Sequence, residues 1–234
     1  MAGEGALAPR VFVVDLGRPV LDPADRHHIE RSLRLRPGDA LTAGDGEGRL
    51  RPCRLGRHGA LEPEGAVVEV APHHPPLTVA FALTKGGRPE LAVQKLTELG
   101  VDRIVPFTAA RSVTRWDGVR ADRHLERLRR VAREAAMQCR RAHIPTVADL
   151  TGFDEARALP GAALAARDGR PPTLDHPTLM VGPEGGWSPA ERGCGLPTVT
   201  LGPHVLRAET AAVVAGALLA GLRSGVVAPA RIRS

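Results

Sequence analysis

Two stretches of this chain place glycine, proline and a few ionisable side chains where an extended run ends. In the first, TLMVGPEGGWSPAE (178–191), an apolar run stops at Gly182 and Pro183, and Glu184 is followed by Gly185 and Gly186. Ser188-Pro189-Ala190-Glu191 is a capping box with proline at the first helical position. Gly193, Gly195 and Pro197 then end that helix after about one turn, and so short a helix has little macrodipole to hold a phosphate. Neither GxxxxGK[ST] nor a GxGxxG after a strand is present. The glycines read as backbone left open for close approach of a ligand, the alternative being a strand–turn–helix joint that binds nothing.

The second stretch, VTLGPHVLRAETAAVVAGALL (199–219), leaves its strand at Gly202-Pro203 and brings Leu206, Arg207, Glu209 and Thr210 to the start of a last apolar helix. In open α/β sheets ligands sit beyond the carboxyl ends of strands, so two Gly-Pro exits this close suggest two loops lining one pocket. The pairs His27-His28 and His73-His74 have no third ligand at useful spacing, and Cys53, Cys139 and Cys194 form no CxxC, so no metal is expected.

The elements that must position these loops follow from pattern. RVFVVDL (10–16) and AVVEV (66–70) read as strands and AGDGEGR (43–49) as a turn, which makes the front of the chain a small β-rich domain. Prolines 72, 75 and 76 mark a linker, so the expected division is 1–72, a linker 73–76, and 77–234. Beyond it strands and helices alternate. LTVAFAL (77–83), DRIVPF (102–107), 162–166, 178–181 and 198–201 are strand-like. Pro89 and Gly100 bracket one helix, and Ala121, Leu125, Leu128, Ala132, Ala135 and Cys139 give another its 4-3-4-3-4 spacing. A final helix spans about 209–222. The fold class is therefore α/β, with a mainly parallel sheet covered on both faces.

The 234 residues carry a net charge of +6, unevenly spread. Residues 1–76 hold 10 basic and 11 acidic residues, whereas 103–141 has eleven arginines against Asp117, Asp122, Glu126 and Glu134. A local basic patch suits an anionic partner. No apolar stretch approaches a membrane span, the opening residues lead us to expect no export signal, and the unpaired cysteines lead us to expect a cytoplasmic location.

VGPEGGWSPAE followed by LGPHVLRAETA resembles the RsmE family of SPOUT-class methyltransferases. LTKGGRPELAVQKLTELGVDRIVPF, ARSVTRW, REAAMQCRRAHIP and HHIERSLRLRPGD extend the resemblance over nearly the whole chain. The resemblance implies transfer of a methyl group from S-adenosyl-L-methionine to N3 of a uridine in 16S rRNA, with the assembled small ribosomal subunit as partner. It also implies an N-terminal PUA-like β-barrel, a trefoil-knotted C-terminal domain and a homodimer. Gly182, Glu184, Gly185, Gly186, Leu201, Gly202, Leu206, Arg207 and Thr210 are then expected around the cofactor.

Uridine N3 must lose a proton near the moment of transfer. Arg207 is the candidate that holds the uracil or its phosphate, and Glu209 the candidate proton acceptor, a local Arg207–Glu209 ion pair being the alternative. Arg10, His28, Arg34, Lys85, Lys95, Arg111, Arg140 and Arg141 are the candidate RNA contacts, while Glu98, Glu134 and Gln138 match family positions that could anchor arginines or an interface. Trp187 stands where the family usually has phenylalanine, and the 187–200 stretch is short for the family. The other readings are a SPOUT methyltransferase for a different RNA, a non-catalytic ribosome-assembly factor and, more distantly, a nucleotide-dependent oxidoreductase.

Overall fold

The computed structural model describes residues 8–22, 35–83, 89–114, 116 and 118–229. They form two compact units, 1–72 with 134–144, and 73–133 with 145–234.

In the first unit β1 (Arg10–Phe12) runs parallel to β2 (Ala40–Gly44). The strand β3 (Arg49–Leu55) pairs antiparallel with β2, β4 (Leu61–Pro63) and β5 (Val68–Glu69). The anticipated turn falls between β2 and β3, where Gly46 and Gly48 take positive φ. Asp45 Oδ1 accepts the N–H groups of Glu47 and Arg49 there, and its Oδ2 accepts Arg49 Nε at 2.7 Å. The first strand is shorter than the sequence pattern suggests, because the chain bends after Phe12 and leaves Val14 fully exposed. Val11, Val13, Leu41, Ala43, Cys53 and Leu55 form the core of this unit, and burial pushes the Cys53 thiol pKa up. Phe12, Ala136 and Met137 make a second cluster with Ile144, whose N–H donates to Gly46 O at 2.9 Å.

The second unit is built on a parallel sheet in the order β12-β10-β11-β6-β7-β8, with β9 also on β7. Its strands are β6 (Thr78–Ala82), β7 (Arg103–Thr108), β8 (Thr146–Val147), β9 (Thr151–Gly152), β10 (Ala162–Arg170), β11 (Thr178–Val181) and β12 (Thr198–Val199). The central strands β6 and β11 are buried throughout. Alternate residues of a strand face opposite sides. Val79, Phe81, Leu179 and Val181 therefore join one core with helices α1 (Pro89–Glu98) and α5 (Ala208–Arg223). Ala80, Ala82, Phe107 and Met180 join another with α3 (Phe153–Arg157). The long helix α2 (Val119–Gln138) has the anticipated stripe, with Leu125, Leu128, Ala132 and Ala135 buried. A four-residue α4 (Pro189–Arg192) follows β11. The short strands β8 and β9 and the helix α3 were not marked by periodicity, being too short to show any.

Candidate functional site

The loop after β11 is shaped from within and from one neighbouring turn. Gly186 N–H donates to Pro183 O at 2.8 Å, and Gly186 holds φ +67, a conformation that favours glycine. Trp187 folds back over the loop, its indole stacked on Phe107 at 6.1 Å and donating Nε1–H to Ala165 O at 2.9 Å. A Cβ at Gly182 would lie 3.0 Å from the Trp187 ring, and one at Gly185 3.3 Å from Arg111 Cβ. Gly182 and Gly185 are thus also confined by protein neighbours, Trp187 and Arg111.

Ser188 and Glu191 close the capping box. Glu191 is only 5% exposed, and its other oxygen accepts Ala110 N–H at 2.7 Å. Arg111, two residues past the buried Ala109, donates Nη1–H to Gly185 O at 2.8 Å.

The two Gly-Pro exits meet. A cavity of about 250 Å³ is lined by Gly182, Glu184 and Gly186 from the first loop and by Leu201, Gly202 and Leu206 from the second. Its walls are mainly apolar, from Val181, Pro183, Trp187 and Val205, and Arg167 and Glu184 carry the full charges among its described lining residues. Gly185, Arg207 and Thr210 do not line it. Gly185 is turned toward Arg111. On α5 the lining residues are Ala208 and Ala211, and one residue of helical rotation, about 100°, separates Thr210 from that face. Arg207 is the N-cap of α5, exposed and without a side-chain capping bond, and Glu209 is half-buried. No ion pair joins Arg207 to Glu209 among the described residues.

Arg167, His204 and the two alanines were missed by sequence reasoning. The helical phase from Leu206 could have found Ala208 and Ala211. Nothing local marks Arg167. It enters the lining because the register of β10 on β12 shifts, with Ala165 and Arg170 both opposite Val199 and Gly169 packed directly on the Val199 backbone. Beside it, Asp168 is bound by Arg192 Nη2 at 2.5 and 2.6 Å, which lowers the Asp168 pKa.

The candidate RNA contacts fall into several environments. His28, Arg34 and Lys85 lie outside the described residues. Lys95 is paired with Glu98 at 2.7 Å. Arg10 is 7% exposed, donates to Arg140 O, and has a buried Nε with no partner. Burial and then the Arg140 guanidinium lower its pKa from the ordinary value. Arg140 is exposed at φ +60, and Arg141 is half-buried. No group of three or more potential metal ligands occurs among the described residues.

A parallel sheet with glycine loops at its carboxyl edge defines a class before it defines a protein. Residues 72–220 match the family model described as RNA methyltransferase domain, and 21–61 that described as RNA methyltransferase PUA domain. The chain is 38% identical over 218 residues to the ribosomal RNA small subunit methyltransferase E of Mycobacterium bovis, covering 84% of this chain and 83% of that one. It is 32% identical to the Bacillus subtilis protein of the same name, covering 81% and 84%. Among solved structures it resembles the Neisseria gonorrhoeae methyltransferase E bound to S-adenosyl methionine (28% identity, TM-score 0.73, 92% of this chain and 98% of that one). It also resembles a Legionella pneumophila methyltransferase with the same cofactor (27% identity, TM-score 0.78, 91% and 96%). The chain belongs to the ribosomal RNA small subunit methyltransferase E family.

Proposed function

We propose that this chain is an S-adenosylmethionine-dependent methyltransferase acting on N3 of one uridine in 16S rRNA of the small ribosomal subunit. The observation that carries the reading is the cavity at the carboxyl ends of β11 and β12, where both glycine loops of the family motif converge. Its donor set fits the cofactor. Apolar walls and backbone edges suit an adenine, Arg167 suits a carboxylate, and Glu184 suits an ammonium or ribose hydroxyls. When bound, the cofactor supplies an electrophilic methyl group on a sulfonium centre.

The protein's part is orientation. Gly182, Gly186, Leu201, Gly202 and Leu206 hold the donor, and Gly185 keeps its loop in place. Arg207, exposed between the lining residues Leu206 and Ala208, holds the uracil or its phosphate. Glu209, half-buried in the first turn of the same helix, takes the N3 proton as the N3–methyl bond forms. Thr210 completes the motif without touching the cavity.

Residues 1–72 act as a PUA-like barrel for RNA, joined by 73–76 to a SPOUT domain over 77–234. In this reading the SPOUT domain is trefoil-knotted. The half-buried Val213, Val214 and Leu218 beside the exposed Ala217 suit a homodimer, read as twice the chain mass by sedimentation equilibrium. Small subunits, and hence this activity, belong to the cytoplasm.

The test is methyl transfer from labelled S-adenosylmethionine to small subunits lacking the modification, with the product nucleoside compared by mass spectrometry with an N3-methyluridine standard. N3-methyluridine at one site, abolished by Arg207→Ala, supports the reading. Cofactor binding without transfer points to another RNA, and no cofactor binding overturns the enzyme.

A further inference from the structure

The capping box at Ser188 needs only one oxygen of Glu191. A buried carboxylate is costly unless each oxygen is satisfied, and the second oxygen finds Ala110 N–H across 81 residues of sequence. The turn that provides this N–H is closed on itself, since Ala109 N–H donates to Ser112 Oγ and Ser112 N–H to Ala109 O, both at 3.0 Å. From the same turn Arg111 crosses 74 residues to Gly185 O. The turn thus grips the loop at Gly185 and at Glu191, on either side of the lining residues Gly186 and Trp187. None of residues 109–112 lines the cavity.

We infer that Glu191 and Arg111 are positioning residues that clamp the cofactor loop in its binding conformation. The inference rests on the cofactor reading of the cavity. It also reassigns Arg111 from RNA contact to loop support. Between Gly185 and the start of α4, residues 186–188 have no regular secondary structure and include one positive-φ glycine, so the two grips add to the Gly186–Pro183 and Trp187–Ala165 bonds in holding the loop's shape. Arg111 spends a charged donor on a single carbonyl, and Glu191 takes two N–H groups; bonds to charged groups are the stronger kind.

The experiment is calorimetry of S-adenosylmethionine binding to the full-length protein and to Glu191→Ala, Glu191→Gln, Arg111→Ala and Arg111→Lys. Hydrogen exchange of the 184–187 amides and the KM for small subunits are measured on the same variants. Glu191→Ala is expected to raise the cofactor Kd about tenfold and Arg111→Ala about fivefold, by the value of charge-assisted bonds. Glu191→Gln and Arg111→Lys, each retaining one bond, recover part of the loss. Exchange at 184–187 quickens in both alanine variants, while kcat at saturating cofactor and the KM for subunits stay within about twofold, a split that general destabilisation would not give. Variants that lose thermal stability but keep the wild-type Kd and exchange would overturn the clamp. So would an Arg111→Ala protein whose only defect is a raised KM for subunits. Wild-type protein that binds no S-adenosylmethionine would overturn the functional reading and this inference together.

Discussion

At the scale of single residues, the loop after β11 separates two reasons for glycine that look alike in sequence. Gly182 is confined by the Trp187 indole, whereas Gly186 is confined by φ and has nothing within 4 Å of an added Cβ. Gly182→Ala should therefore cost about 1–2 kcal/mol through overpacking. In a Trp187→Phe background, where the ring is smaller, much of that loss should disappear. Gly186→Ala should cost about 1 kcal/mol from strain and should gain nothing from the same background. Denaturant unfolding of the three single and two double variants distinguishes the two. Trp187→Phe alone loses the Nε1 bond to Ala165 O but keeps an aromatic ring against Phe107, so the expected cost is about 1 kcal/mol.

At the scale of elements, the C-terminal end of α5 is fastened by one side chain. Arg223 donates Nη2–H to Gly100 O at 2.7 Å and Nη1–H to Pro75 O at 3.2 Å, and it also pairs with Asp102. With the Arg223 side chain 10% and Asp102 25% exposed, this pair is sheltered enough for its loss to matter. Arg223→Ala should destabilise the protein by about 2–3 kcal/mol, visible as a lower unfolding midpoint, because Asp102 keeps a partly buried charge without this partner.

The β2–β3 turn gives a pH dependence instead. Burial alone would raise the Asp45 pKa, but the N–H of Glu47 and the bonds from Arg49 outweigh it, so the folded value lies below the ordinary one. A depressed carboxylate contributes stability above its unfolded pKa, about 3.9, and loses it as pH falls through the folded value. Acid unfolding followed from pH 6 to pH 2 should be less steep in Asp45→Asn than in wild type.

At the scale of the whole molecule, the net charge of +6 is partly consumed locally. Arg49, Arg54, Arg127, Arg129, Arg157 and Arg192 each face a carboxylate, and exposed pairs of this kind stabilise little. What remains prominent is the solvent side of α2, where Arg120, Arg123 and Arg130 are exposed. Reversing Arg123 and Arg130 to glutamate should weaken binding of small-subunit RNA and flatten the dependence of log affinity on log salt. Cofactor affinity should not change, which calorimetry checks. The described residues contain no helix long and apolar enough to cross a membrane.

Much of this molecule was legible along the chain. Patterns with a short period or a short reach declared themselves: the apolar runs of the parallel sheet, the arginine-faced helix α2, the glycine exits of β11 and β12, and the capping box at Ser188. Each depends on residues within a turn or two of one another, which is the range over which backbone geometry acts. The tertiary structure alone decided which groups those elements bring together. It placed Trp187 against Gly182, gave the second oxygen of Glu191 to Ala110 and the Gly185 carbonyl to Arg111, and turned Thr210 away from the cavity while admitting Arg167. It also grouped residues 134–144 with the front unit. Partners 74 or 81 residues apart share no periodicity, so their meeting is a property of strand order and packing rather than of any local stretch.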